Sequence, residues 1–535
     1  MLRLNRNDLV RKSEWEAAGI AMPAYNYAAV VEETMKHPRW LHFGAGNIFR
    51  AYIARLQQQL LNEGKTDSGI IAVAPYDHEI IEKVYRPHDN LTLVASLKPN
   101  GDIVTELVAS IAESLEGRTG RKRLEEIVRF PELQIMSFCI TEKGYALTDL
   151  KGELQEQVKR EMAEGPESAR HTMSLAATLM LERFRAGAAP LALLSLDNCS
   201  HNGEKLRNAV LTVARAWVEK GFAEKDFIAF LEDEKRVSFP WSMIDKITPR
   251  PSAEVSEYLT KKGVEGMELL VTEKGTYIAP FVNAEVPEYL VVEDSFPAGR
   301  PPLQEAGVYF VDRKTVNDVE RMKVTTCLNP LHTALAICGC LLGYTTISSE
   351  MKDPLLKALV ERIGYAEGMP VVVNPGIFRP KDFIREVLED RFPNPFIPDT
   401  PQRIATDSSQ KIPIRYGETI KAWMKRPDLD MKDLVGIPFV IAAWFRYLLG
   451  LDDRLRPMKI SDDPMLPELK KGLEGVRIGS PETAAGRLRP FLSNPALFGV
   501  DLYKAGLGEK IEATFAKMLK GENAVAETLK ATVQP

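Results

Sequence analysis

The sequence predicts an α/β fold: an N-terminal part built on a parallel sheet with flanking helices and an inserted hairpin, then a mostly α-helical C-terminal part. Three observations carry this. Short apolar runs alternate with amphipathic stretches through the first third, which is the pattern of βαβ units. A two-glycine turn, Gly44-Ala45-Gly46, joins the first such run to a helix-like stretch. Beyond about Asp312, strand-like runs become scarce and long amphipathic stretches take over. The boundary is therefore drawn between residues 1–312 and residues 313–535.

Each element has its own justification. RWLHF, residues 39–43, reads as a strand ending in glycine. Ile48, Tyr52, Leu56 and Leu60 recur at helical spacing, so residues 48–61 read as a helix. IIAVA, residues 70–74, is a second strand. LTLVASL and DIVTEL flank Pro99-Asn100-Gly101, a hairpin signal. LQIMSFCI at 133–140 and LALLSL at 191–196 read as further buried strands. The string TEKG occurs twice, at Thr141–Gly144 and Thr272–Gly275; the flanks do not repeat, and the match is read as coincidence.

Composition narrows the class of function. With 45% hydrophobic and 27% charged residues the chain is neither disordered nor fibrous. Its 69 basic and 74 acidic residues leave a net charge of -5, which argues against a nucleic-acid partner. The longest apolar stretches, 334–344 and 437–445, fall short of the roughly 20 residues that span a bilayer, so no membrane partner is expected. The opening MLRLNRNDLVRKSEW has no apolar core of the kind an export signal needs. Five cysteines are odd in number and sparse, which points to a reducing, cytoplasmic setting. A monomer or small homo-oligomer acting on a small molecule fits these bounds.

The segment WLHFGAGNIFR has the context of a Rossmann-like dinucleotide site, with a strand leading in and a helix leading out. Gly44 permits the tight turn, Gly46 lets backbone approach a pyrophosphate, and the helix start offers N–H donors and a positive dipole end. Phe49 stands where the usual fingerprint has its third glycine, so a plain strand-to-helix turn remains open. Asp77, just past the second strand, is the candidate for the adenosine ribose. No arginine follows it immediately, which favours NAD over NADP, although Lys83 and Arg86 are near.

The sharpest chemistry lies in ERMKVTTCLNPLH, residues 320–332. Carbonyl reduction needs a proton donor and dipoles aimed at the developing alkoxide. A desolvated lysine such as Lys323 can be the acid–base, the Asn329 amide can steady the oxyanion, and His332 can hold a substrate hydroxyl. Lys323 and His332 are nine apart and face opposite ways on one straight helix, unless Asn329 caps a new element with Pro330 in its first turn. Asn329 as a simple cap and His332 as a packed core histidine stay open at this point. Cys338-Gly-Cys340 reads as core packing. No histidine pair has zinc spacing, so no metal is expected.

Taken together these residues resemble the polyol-specific long-chain dehydrogenases, the mannitol dehydrogenase and fructuronate reductase family. GAGNIFRAY resembles the family's G-x-G-x-x-x-R turn, TEKGY at 141–145 its segment after the fourth strand, and Asp197-Asn198 with Asn202-Gly203 its DN…NG element. FPWSMIDKITP at 239–249, VEDSFPAGRP at 292–301 and RIATDSSQKIP at 403–413 match further family runs; Trp241 replaces the usual asparagine. The resemblance implies that Gly44, Gly46, Asn47, Ile48, Phe49, Asp77, Thr141 and Glu142 bind NAD. It makes Lys323 the general acid–base, with Asn198 and Asn329 at the oxyanion and His332 holding the substrate's hydroxyls or carboxylate. It gives Asp245, Arg403 and Lys411 to the substrate. One departure stands out: five residues separate Lys323 from Asn329, where the family has four.

The implied reaction is hydride transfer between nicotinamide and C2 of a hexuronate or polyol, without a metal. The length of the chain and the run KVTTCLNPLHTAL favour fructuronate reduction to mannonate. Mannitol 2-dehydrogenase, tagaturonate reductase and an NAD-using sugar epimerase are the alternatives. Lys323 is expected to face a cleft with its amine near the Asn198 and Asn329 amides.

Overall fold

The computed structural model describes residues 1–149 and 151–534. Six strands make the central sheet: β1 (Trp40–Phe43), β2 (Ile70–Ala74), β3 (Ile111–Glu116), β4 (Ile135–Phe138), β5 (Leu191–Ser195) and β6 (Val237–Ser238). Their spatial order is β3-β2-β1-β4-β5-β6, and every neighbouring pair is parallel. This is the doubly wound order, whose direction reverses between β1 and β4. Ligands bind such sheets at that switch point, beyond the carboxyl ends of the strands.

The strands carry near-continuous apolar runs because both faces of the sheet are covered. Alternation along each strand divides the core in two. Leu41, Phe43, Ile71, Val73, Met136 and Phe138 point to one side. There they meet α2 (Thr172–Arg185) and α3 (Asn202–Glu219), through Leu179, Leu206, Val210 and Trp217. Trp40, Ile70, Ala72 and Ile135 point to the other side, against Leu56 and Leu60 of α1 (Ala54–Asn62). Each fully buried Leu or Val of this kind contributes about 1.5–3 kcal/mol.

The hairpin expected around Asn100 is present. Thr92–Leu97 pairs antiparallel with Ile103–Val108, and Gly101 closes the turn at φ 95°. It belongs to a second, four-stranded sheet rather than to the central one. Edge strands β3 and β6 carry little signal in the sequence. β3 carries the half-buried Glu113 and Ser114 between its apolar positions, and β6 is two residues long, as edges often are.

Residues Met1–Asn317 form one compact unit and those from Asp318 onward a second, with the division inside α4 (Arg313–Met322). Among the described residues no strand follows Tyr309–Val311. The second unit is organised around α5 (Asn329–Leu342) and α6 (Gly436–Tyr447), which pack on each other. Every residue of α6 is buried. Its N-terminus is capped from outside by Glu367, which accepts from the N–H groups of Val435 (2.9 Å), Gly436 (2.6 Å) and Ile437 (2.8 Å). The helical run Arg313–Leu342 is long and apolar enough to cross a membrane, but 72% of its apolar window is buried inside the fold.

Candidate active site

The two-glycine turn sits at the carboxyl end of β1, beside the switch point. Gly44 has φ 119°, and a Cβ there would lie 2.0 Å from the Cys139 carbonyl oxygen, so only glycine fits. At Gly46 the space a Cβ would take is open, leaving room for a ligand to reach the backbone. The first helical hydrogen bond runs from Arg50 N–H to Gly46 O (3.2 Å), so the amides of Asn47 and Ile48 are outside the helix ladder. This is the donor set a pyrophosphate requires.

Buried Arg50 fixes the turn from below. It donates to the Ala279 carbonyl (2.8 Å) and to the Asn47 side-chain oxygen (2.9 Å). Tyr85 donates to the Ala45 carbonyl (3.0 Å). The Phe49 ring is fully buried and stacks on His42 with centroids 4.1 Å apart. Its side chain is core, and only its backbone is available to a cofactor. Asp77 lies three residues past β2, half-buried, and its Oδ2 accepts from Thr272 Oγ1 (2.7 Å).

Thr141 and Glu142 follow β4. Thr141 holds φ 67°, a conformation costly for a β-branched residue. Asp197 maintains it by accepting from the N–H groups of Ile140 and Thr141 (2.8 Å each) and from the Tyr145 hydroxyl (2.6 Å). Burial pushes the Asp197 carboxyl up, against those hydrogen bonds. Glu142 is exposed and paired with Lys205. Asn198, next to Asp197, is exposed. Asn202 is buried and donates to the carbonyls of Asp197 (3.0 Å) and Ser242 (3.0 Å), joining the DN…NG element to the FPWSMID run. Gly203 allows that approach, since a Cβ would lie 2.6 Å from the Phe239 carbonyl oxygen. Asp245 is buried at the end of the strand Ser242–Asp245. Trp241 stacks on His201 at 4.4 Å.

In the second unit, Lys323 is buried and opens a π-turn, Lys323–Cys327, closed by Leu328 N–H donating to Lys323 O (3.1 Å). A π-turn spends one residue more than an α-turn. Four of the five residues between Lys323 and Asn329 lie within this turn, and the fifth is Leu328. Leu328, at φ -130°, breaks the run and stands as the N-cap of α5. Asn329 is therefore the first residue of α5, not its cap.

His332 lies one turn into α5. Its Nε2 is 3.1 Å from Asp399 Oδ2, and its ring is tilted over Phe392 at 5.0 Å. Burial and the charges of Arg415, Arg403, Arg391 and Lys411 hold the imidazole down to about 3. Asp399 favours the charged form, but burial and four cations prevail. At neutral pH a ring so shifted is neutral, and a proton on Nε2 would point to the Asp399 carboxylate and leave Nδ1 to accept. Arg403 pairs with the same Asp399. Burial, then Arg415, brings the Lys411 ammonium down to about 8. Arg415 donates to Thr333 Oγ1 (2.5 Å). Arg391, Arg415 and Asp399 were not legible beforehand; Arg415 is two residues past the matched RIATDSSQKIP run, and Asp399 and Arg391 lie in a Pro-rich connection and the turn before it.

The fold and the glycine turn define a dinucleotide-binding α/β enzyme with an appended helical unit that carries a lysine, an asparagine and a histidine. Residues 38–305 match the mannitol dehydrogenase Rossmann domain and residues 315–519 the mannitol dehydrogenase C-terminal domain. The chain belongs to the mannitol dehydrogenase family. It is 53% identical to the D-mannonate oxidoreductase of Thermotoga maritima, over 99% of both chains. A mannitol 2-dehydrogenase of Aspergillus terreus is 29% identical over 94% of this chain and 93% of its own. Among solved structures, the Pseudomonas fluorescens mannitol 2-dehydrogenase in ternary complex with NAD and D-mannitol superposes with a TM-score of 0.72, at 25% identity over the whole of both chains. A D-sorbitol dehydrogenase shares the fold, with a TM-score of 0.79 at 24% identity over 96% of this chain and 98% of that one.

Proposed function

We propose that this enzyme is an NAD-dependent hexuronate oxidoreductase interconverting D-fructuronate and D-mannonate. The observation that supports the substrate class is the set of four cations, Arg415, Arg403, Arg391 and Lys411, whose charges act on His332, with Asp399 beside its ring. A uronate needs a cation for its carboxylate, and these side chains can supply one. The near full-length relative named for D-mannonate supports the same reading.

The bound nicotinamide supplies or accepts the hydride at C2. The chain's own residues do the rest. Gly44, Gly46, Asn47 and Ile48 present backbone to the pyrophosphate, and Asp77 accepts from the adenosine ribose. Thr141 and Glu142 line the cofactor side. Arg403, Lys411 and Arg415 hold the carboxylate, and Asp245 and His332 Nδ1 accept from substrate hydroxyls. Lys323 donates a proton to the developing alkoxide in reduction and accepts it in oxidation, with the Asn198 and Asn329 amides stabilising the oxygen. A reducing compartment such as the cytoplasm suits a sparse and odd set of five cysteines.

The test is NADH oxidation with fructuronate, tagaturonate and fructose side by side. Fructuronate should give the highest kcat/KM. Faster turnover of fructose would replace this reading with a mannitol 2-dehydrogenase.

A further inference from the structure

The second TEKG string has a structural role. Residues 272–276 form the loop of a hairpin whose strands are Leu270–Val271 and Tyr277–Ile278. Its turn is closed by Gly275 N–H to Thr272 O (2.8 Å), with Gly275 at φ 77°. Three consecutive residues of this loop clasp the segment that follows β2. Thr272 Oγ1 donates to Asp77 Oδ2 (2.7 Å), and Glu273 N–H donates to Glu79 Oε1 (2.7 Å). Lys274 donates to the Tyr76 carbonyl, with its ammonium 3.6 Å from the centre of the exposed Tyr76 ring.

The Thr272 hydroxyl is itself oriented. Its oxygen accepts from Thr276 N–H (3.1 Å), which leaves its proton directed at Asp77. The relay Thr276 N–H, Thr272 O–H, Asp77 therefore occupies one carboxylate oxygen and fixes the rotamer that presents the other. A carboxylate so held accepts from a ribose diol and repels a 2′-phosphate. We propose that Thr272 is a positioning residue for cofactor selection, holding Asp77 so that the site takes the dinucleotide with a free adenosine ribose and rejects its 2′-phosphorylated form. This rests on the assignment of Asp77 to the ribose.

The test measures binding as well as turnover. Dissociation constants for NADH and NADPH are determined by fluorescence titration for the wild type, Thr272→Val, Thr272→Ser and Asp77→Ala, with Tm recorded for each. Thr272→Val should weaken NADH about tenfold, the worth of one hydrogen bond to a charged group, and leave NADPH no weaker. Thr272→Ser, which keeps the hydroxyl, should restore the preference. NADH binding unchanged in Thr272→Val overturns the proposal, as does equal weakening of both cofactors or failure of Thr272→Ser to restore. If Asp77→Ala leaves the preference unchanged, the ribose assignment itself falls and takes the proposal with it. If Asp77→Ala abolishes the preference while Thr272→Val does not, only the role of Thr272 is lost.

Discussion

Glu350→Gln isolates the cost of a buried, unpaired carboxyl. Glu350 ends the short helix Ile347–Glu350 and is fully buried, with neither carboxyl oxygen hydrogen-bonded. It fills the space over Gly339, where a Cβ would lie 2.0 Å from its Oε1, between Cys338 and Cys340 of α5. Burial pushes its carboxyl from 4.5 up to about 9. The folded chain thus keeps a proton that the unfolded chain releases above the ordinary value. The stabilisation is complete at pH values below that ordinary value and declines as pH rises to the folded one, by about 1.4 kcal/mol per pH unit. Between pH 5 and pH 8 the loss from this one group is on the order of 4 kcal/mol. Glutamine keeps the shape and has no proton to lose. Chemical denaturation of both proteins, followed by tryptophan fluorescence across this range, reads the difference directly. The variant should gain on the wild type steadily as pH rises. Parallel stability curves would refute the reasoning.

Other outcomes follow from the same geometry. Lys323→Ala should lower turnover by roughly 10²–10⁴-fold, as loss of a general acid–base does, with the NADH dissociation constant unchanged. Gly44→Ala should abolish cofactor binding or folding, measured by NADH titration and Tm, because its Cβ would overlap the Cys139 carbonyl. With Lys411 brought down to about 8, uronate KM should rise as pH passes that value and the ammonium is lost, while KM for a neutral ketose should not follow it. Glu367→Ala should cost several kcal/mol in denaturant titration, about 1–3 for each buried donor left unpaired at the start of α6.

The sequence revealed those features whose physics is local. A strand buried on both faces is an apolar run, so β1, β2, β4 and β5 were legible. The strand-to-helix glycine turn was legible because φ and close approach dictate residue type at Gly44. Edge strands were not, since β3 mixes Glu113, Ser114 and Glu116 with its apolar residues and β6 is too short to show a period. The residues gathered around His332 come from α5, the turn at Arg391, the connection at Asp399 and the segment 403–415, and no periodicity links them. The π-turn at Lys323 was visible only as a one-residue excess in spacing. The second TEKG failed as a repeat because its role depends on a contact with Asp77, 195 residues away.

The central claim is net, stoichiometric hydride transfer to a hexuronate ketone. Product analysis of a reaction with limiting NADH and excess D-fructuronate tests it most directly. The account predicts one D-mannonate formed for each NADH oxidised, and the reverse with D-mannonate and NAD. Conversion of the sugar acid without net NADH consumption, or turnover confined to uncharged ketoses, would contradict it.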